Sequence, residues 1–323
     1  MQTAVYYNNN DVRIEEAPKP KASSGELLIK MKACGICGSD VMEWYRIRKA
    51  PLVLGHEATG EVVESGGVKD FKLGDRVFVS HHVPCNSCRY CLGGQHTACE
   101  TLHTTNFFPG GFSQYIRVPQ INVERGTFLL PDQVSFEEGT FIEPLACVVR
   151  GQREANFKAG QNLLILGAGI SGILHLLLAK HSGANKVMIN DIDQYRLQKA
   201  KELGASKIDG LADLVIVCTS SLAAFNQALE SVDKAGTILF FAPTEPGVKL
   251  PIPVNDFWRK GIKIIHSYGA SPQDLVSAID LLGQGAIPVK NLITHRVSLK
   301  DCAQGFRLVS GGKECLKVIV ESS

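Results

Sequence analysis

Four cysteines, Cys85, Cys88, Cys91 and Cys99, fall within fifteen residues, separated by two, two and seven positions. In a chain of cytosolic type, bunched thiols mean metal or catalysis more often than disulfides. Four sulfurs complete the tetrahedral shell of a structural zinc and leave no open position. Such an ion holds a lobe together and does no chemistry. An iron–sulfur cluster is the competing reading, but the spacing differs from the common ferredoxin runs and no proline follows Cys99.

A second constellation has a different chemistry. Cys37-Gly38-Ser39-Asp40 is followed nineteen residues later by His56, in Gly55-His56-Glu57. A catalytic zinc takes three protein ligands and keeps a position for water or substrate. Cys37 and His56 offer a thiolate and an imidazole, and Glu143, in Ile142-Glu143-Pro144-Leu145, could supply a carboxylate. Asp40 is the nearest acid to receive the imidazole's other N–H. The spacing alone is weak, because a single cysteine and a single histidine are more often core residues than ligands.

The third constellation is a phosphate cradle. Residues 163–166 run into Gly167-Ala168-Gly169-Ile170-Ser171-Gly172 and then into a helical stretch, the context the glycine motif of a dinucleotide site requires. Gly167 permits the tight turn, Gly169 lets the backbone approach a pyrophosphate, and Gly172 lets helix and strand pack. With Ile170 and Ser171, the helix start presents N–H groups to phosphate. A second strand, 186–190, ends at Asp191, whose carboxylate would bind ribose hydroxyls and repel a 2′-phosphate, favouring NAD over NADP. Arg196 nearby could still tolerate a phosphate.

The elements that must position these residues change character along the chain. Up to about residue 140 the pattern is β, with strands expected at 27–32, 60–64 and 75–79. From 163 onward, strands at 163–166, 186–190, 213–218 and 237–241 alternate with helices at 171–181, 193–203 and 222–232, the pattern of a parallel sheet with crossovers. A last strand is expected at 316–320. The fold class is therefore α/β: a Rossmann doubly wound parallel sheet over 146–285, carried within a β-rich domain built from 1–145 and 286–323. A chain of 323 residues suits two such domains. The formal net charge of +2 gives no pointer to nucleic acid. No apolar run is long enough to span a membrane, and Met1-Gln2-Thr3-Ala4-Val5 has no signal-peptide pattern, so a cytoplasmic protein is expected.

Taken in order, Ile36-Cys37-Gly38-Ser39-Asp40, Gly55-His56-Glu57, the four-cysteine knuckle, Ile142-Glu143-Pro144-Leu145 and the glycine motif closely resemble the zinc-containing medium-chain alcohol dehydrogenase family. The resemblance covers nearly the whole chain and is nearest to the sorbitol and polyol dehydrogenase branch, with threonine dehydrogenases as neighbours. It implies a GroES-like catalytic domain, two zinc ions per chain and NAD. It also implies that Cys37 and His56 bind the catalytic zinc, with Glu143 favoured as third ligand and Glu57 as its exchangeable partner. Cys147 stands near the ethanol branch's ligand position and reads better as a buried helical cysteine. By the same resemblance Ser39 begins a proton relay, and the protein is a homodimer or homotetramer.

Three departures stand out. Met42 occupies the place where many relatives finish the relay with a histidine. Ser267 stands where sorbitol dehydrogenases carry an arginine. Too few residues separate Asp209 from the strand at 213–218 for the usual intervening helix. His81 and His82 read as solvated or packing residues. The expected reaction is oxidation of a secondary hydroxyl of a small polyol, sugar alcohol, inositol or sugar derivative. Zinc would act as Lewis acid, Ser39 would take the proton and NAD the hydride. A threonine-type or simple secondary-alcohol dehydrogenase is the alternative among enzymes. A non-catalytic zinc- and NAD-binding protein is the alternative outside them.

Overall fold

A computed structural model describes residues 1–322 and divides the chain into two compact units, Met1–Ala146 with Ala270–Ser323, and Cys147–Gly269. The expected second boundary, 285/286, moves to 269/270. The helix Pro272–Gly283 packs with the first unit, where Gln133 Nε2 donates to the Gly283 carbonyl at 2.6 Å. Pro272 at its first turn and a Ser271–Asp274 capping box start that helix cleanly.

The first unit is built on a mixed sheet in the order Ile293–Ser298, Lys317–Glu321, Leu27–Ile36, Glu57–Ser65, Arg76–Val79, Thr127–Leu129, with Tyr115–Val118 paired to Leu27–Ile36. The strand Leu27–Ile36 is the hub. Gly35 pairs with Glu57 on one side and with Ile319 on the other. Leu27, Ile29 and Met31 alternate into a core with Val62, Val77, Ile116, Phe112 and Phe306. The terminal strand is apolar between its two charged ends, Lys317, which is fully buried, and Glu321.

In the second unit five strands are all parallel, in the order Lys186–Asn190, Asn162–Leu166, Ala212–Val217, Val232–Phe240, Lys263–His266. Leu164, Leu166, Val215, Val217 and Ile238 are buried within it, as a sheet covered on both faces demands. The chain reverses direction across the sheet beside Asn162–Leu166, the place where such sheets bind ligands. The strand Lys263–His266 and its preceding helix Val254–Lys260 lack strong apolar periodicity and were not expected from sequence. The expected missing helix is visible as well. Ser206 makes a single bridge to Met188, and residues 207–211 carry no helix before Ala212–Val217 begins. No helix among the described residues is long and apolar enough to cross a membrane.

Candidate metal centres and coenzyme cradle

The four knuckle cysteines converge, their sulfurs all within 4.8 Å of one another. Cys85 and Cys91 sulfurs are 3.9 Å apart and those of Cys88 and Cys91 3.6 Å. Four sulfurs at about 2.3 Å from a tetrahedral zinc stand about 3.8 Å apart, so these separations fit an ion. They are far beyond a disulfide's S–S length. Backbone N–H groups of Ser87 and Cys88 point at Cys85 Sγ, at 3.4 and 3.2 Å, and that of Cys85 points at Cys99 Sγ at 3.3 Å. The local turn is made by Asn86, which adopts a left-handed φ of 59°. Those donors bring the Cys85 thiol down to about 5, whereas burial and the neighbouring sulfurs push Cys91 up to about 12. Four thiols crowded together share protons unequally, and a divalent cation resolves that by holding all four as thiolates.

The second cluster joins Cys37, His56 and Glu57, each offering a donor atom within 4.8 Å of the others. Cys37 caps the short helical turn Gly38–Val41, and Asp40 closes a capping box by accepting from the Cys37 N–H at 3.0 Å. The buried Asp40 carboxylate lies 3.3 Å from His56 Nδ1. That contact leaves Nε2 as the nitrogen available to a metal. Burial alone would lower the His56 pKa, yet Asp40 and Cys37 raise it well above its ordinary value. Likewise burial would raise Asp40, but His56, Arg46 and the Cys37 N–H hold it low. A pocket whose field keeps a proton on a buried imidazole also suits a cation, and a thiolate, an imidazole and a carboxylate are the donors zinc prefers.

Two residues at this cluster escaped the sequence reading. Lys317 donates to Glu57 Oε2, with both side chains essentially sequestered from solvent. Gly35 makes the room, because a Cβ there would come within 2.0 Å of Glu57 Oε2 and 2.7 Å of Lys317 Cε. Burial would depress the Lys317 ammonium, but Glu57, then Cys37 and Glu143, raise it. Glu143, in the first turn of the helix Ile142–Glu154, therefore acts on the same ammonium that pairs with Glu57. The signal is a lysine that opens the apolar run 318–320 of the final strand, since a buried lysine is tolerated only when paired. The other residue is Arg46, which donates to Ser39 O at 2.9 Å and Ser39 Oγ at 3.1 Å and lies 3.6 Å from Asp40. His81, read from sequence as packing or solvated, lays its ring 4.9 Å from that of His56 and 3.9 Å from that of His82.

In the second unit each motif glycine has its own reason. Gly167 has φ 106°, a left-handed conformation that disfavours a side chain. A Cβ on Gly172 would sit 1.9 Å from the Gly167 carbonyl oxygen. Gly169 caps the helix Ile170–His181 and faces open space, so nothing in the protein obstructs a ligand there. Ile170 and Ser171 form that helix's first turn. Asp191 accepts from the Ala168 N–H at 2.6 Å and the Asp193 N–H at 2.8 Å, which seats its carboxylate against the glycine turn. The Arg196 backbone N–H is bound by Asp193, while its buried Nε has no hydrogen-bond partner.

Comparison with known proteins matches two family models to separate stretches of the chain. A family model described as an alcohol dehydrogenase GroES-like domain matches residues 23–130, and one described as a zinc-binding dehydrogenase matches residues 172–284. Sorbitol dehydrogenase of Bacillus subtilis is 31% identical, over 99% of this chain and 97% of its own. L-threonine 3-dehydrogenase of Pseudoalteromonas translucida is 30% identical, over 92% of this chain and 93% of its own. Among solved structures, 2R,3R-butanediol dehydrogenase from Bacillus subtilis superposes with a TM-score of 0.86 at 29% identity, covering 100% of this chain and 99% of that one. A zinc-binding dehydrogenase from Sinorhizobium meliloti bound to NADP has a TM-score of 0.87 at 26% identity, over 99% and 98%.

Proposed function

The chain belongs to the zinc-containing medium-chain alcohol dehydrogenase family, and we propose that it oxidises a secondary hydroxyl of a small polyol, sugar alcohol, inositol or sugar derivative to a ketone, with NAD as hydride acceptor. The observation that carries this reading is the convergence of Cys37, His56 and Glu57, with Asp40 behind the imidazole. Cys37, His56 and one carboxylate would hold the catalytic zinc. Glu57 is grouped with the first two, and the charge of Glu143, the carboxylate favoured from sequence, also bears on Lys317. Cys85, Cys88, Cys91 and Cys99 would hold a second, structural zinc. Bound, the catalytic ion supplies Lewis acidity and the nicotinamide accepts the hydride.

The chain's own residues supply the rest. Asp40 fixes the His56 ring and its tautomer. Lys317 neutralises the Glu57 carboxylate, so that the cluster around the metal does not become too negative to favour a substrate alkoxide. Ser39 Oγ receives the substrate's hydroxyl proton. Asp191 favours NAD, because a carboxylate binds two ribose hydroxyls and repels a phosphate. The unpartnered Nε of Arg196 is the feature that speaks for NADP. A threonine-type or simple secondary-alcohol activity is the second reading, favoured by the similarity to L-threonine 3-dehydrogenase, and Ser267, where sorbitol dehydrogenases carry an arginine, weighs against sorbitol itself as the substrate. Reduced thiols at both metal sites suit a cytoplasmic enzyme, and a homodimer or homotetramer is part of the reading.

The test is NADH formation by zinc-loaded protein with polyols, inositols, sugar derivatives, threonine and simple secondary alcohols, each with NAD and NADP. A polyol or inositol winner with NAD is expected. Activity on threonine or simple alcohols alone moves the chain to a neighbouring branch. NAD binding and full zinc without turnover of any of them favours the non-catalytic alternative.

A further inference from the structure

We propose that Arg46 is a positioning residue that sets the direction in which the proton passes through Ser39. The proposal rests on the dehydrogenase reading above, in which Ser39 meets the substrate hydroxyl. Arg46 ends the single-turn helix Glu43–Arg46 and folds back over the turn Gly38–Val41. Its Nε donates to the Ser39 carbonyl at 2.9 Å and its Nη2 to Ser39 Oγ at 3.1 Å. The side chain is only 15% exposed, so water competes little for these bonds. One rigid fork therefore grips both the backbone and the hydroxyl of a single residue.

The consequence follows from counting lone pairs. A guanidinium has five N–H donors and no acceptor, so it takes no proton from Ser39. A serine hydroxyl has two lone pairs and one hydrogen. Arg46 occupies one lone pair. The other remains for the substrate hydroxyl to donate to, and the hydrogen remains to be given outward to water. Ser39 Oγ gains the substrate's proton as it releases its own, one O–H bond forming and one breaking, and it ends neutral as it began. Met42, three residues beyond Ser39, carries a thioether with no proton to give, so it cannot set this direction. Without Arg46 the hydroxyl would rotate freely among its donor and acceptor roles.

Arg46 also lies 3.6 Å from Asp40, so removing its charge disturbs the acid behind His56 as well. Arg46→Lys separates the two effects, because it keeps a cation for Asp40 and loses the two-point grip on Ser39. In Arg46→Lys, kcat is expected to fall about 10-fold to 100-fold, the range for a misplaced catalytic group, with KM changed less than about twofold. The zinc content should be unchanged. In a Ser39→Ala background the same substitution should have almost no further effect, as for residues acting through one another. Crystals of Arg46→Lys should show Ser39 Oγ spread over more than one rotamer. An equal loss of kcat in both backgrounds overturns the proposal, as does a Ser39 rotamer unchanged in the variant. If Arg46→Lys does not fold, Arg46→Gln is made in an Asp40→Asn background, where no Asp40 charge remains to be disturbed, with and without Ser39→Ala. Wild-type protein that turns over no alcohol overturns the dehydrogenase reading, and the crystallographic arm then decides on Arg46 by itself.

Discussion

The two metal clusters of the first unit differ in how they are made. The knuckle is local: four like ligands within fifteen residues, oriented by backbone N–H groups of the same loop. The Cys37 cluster is assembled from distant parts of the chain. Its donors sit on the hub strand's end and its neighbour, and its charges are balanced by Arg46 from a following turn and by Lys317 from the final strand. A closed set of identical ligands can only bind. A mixed set with a supporting shell can bind, keep a position open and respond to its surroundings.

The comparison breaks most sharply under cysteine substitution. Cys37→Ser should reduce kcat by about 1000-fold or more by removing a ligand of the catalytic ion, with little change in melting temperature. Cys91→Ser should do the reverse, melting the lobe early while the folded fraction keeps much of its turnover, since structural zinc contributes folding energy. Calorimetry together with initial rates checks both. If both variants show the same signature, the division of labour between the two clusters is wrong.

Next in size is the buried pair. Lys317→Met leaves the Glu57 carboxylate buried without its partner, which should cost about 3–5 kcal/mol in urea unfolding. Adding Glu57→Gln should restore much of that loss, because no uncompensated charge then remains. A single variant that unfolds like wild type would mean that Glu57 finds another cation, the metal itself being the obvious one.

A smaller effect is expected one step further out. Asp40→Asn should weaken zinc at the catalytic cluster by about 10-fold to 100-fold, as for other carboxylates behind a ligating histidine. It should leave the knuckle ion in place. Competition with a chromophoric chelator resolves the two ions, and loss of both together would contradict their independence.

How much of this was legible in the sequence follows the same line. The knuckle, the glycine turn and Asp191 are short-range patterns, and the chain places each where the spacing puts it: converging sulfurs, a left-handed Gly167, a carboxylate against the turn. The alternating strands and helices of the second unit were legible because a buried parallel strand is a continuous apolar run. The final strand and helix of that sheet, Lys263–His266 and Val254–Lys260, were not, since both carry charged, exposed residues that blunt any period. The carboxylate grouped with Cys37 and His56 was also beyond a one-dimensional reading. The motif favours Glu143 with Glu57 as exchangeable partner, and what sets Glu57 beside Cys37 and His56 lies in strand register: Gly35 faces Glu57 across one ladder, and Lys317 belongs to the strand on the other side. Arg46 was invisible for a related reason, because its partner is a hydroxyl seven residues back and depends on two successive short turns.

The smallest effect concerns the proton that shares the catalytic cluster's space. In metal-free protein Asp40 and Cys37 hold the His56 pKa well above its ordinary value against the opposing pull of burial. The imidazole is then charged through neutrality, and zinc must expel its proton to bind. Zinc affinity should therefore rise with pH everywhere below the elevated folded value, about tenfold per pH unit for the one proton released, and level off for that group above it. A histidine buried without a carboxylate would give no such slope near neutrality, since that ring would already be neutral at pH 7. Asp40→Asn sharpens the point. Removing the charge lets His56 release its proton at lower pH, so the dependence through neutrality should flatten even as the affinity at high pH falls. Zinc titrations of both proteins across pH 6 to 9, with the knuckle already filled, read the two slopes directly. Parallel slopes would mean that Asp40 orients the ring without holding its proton.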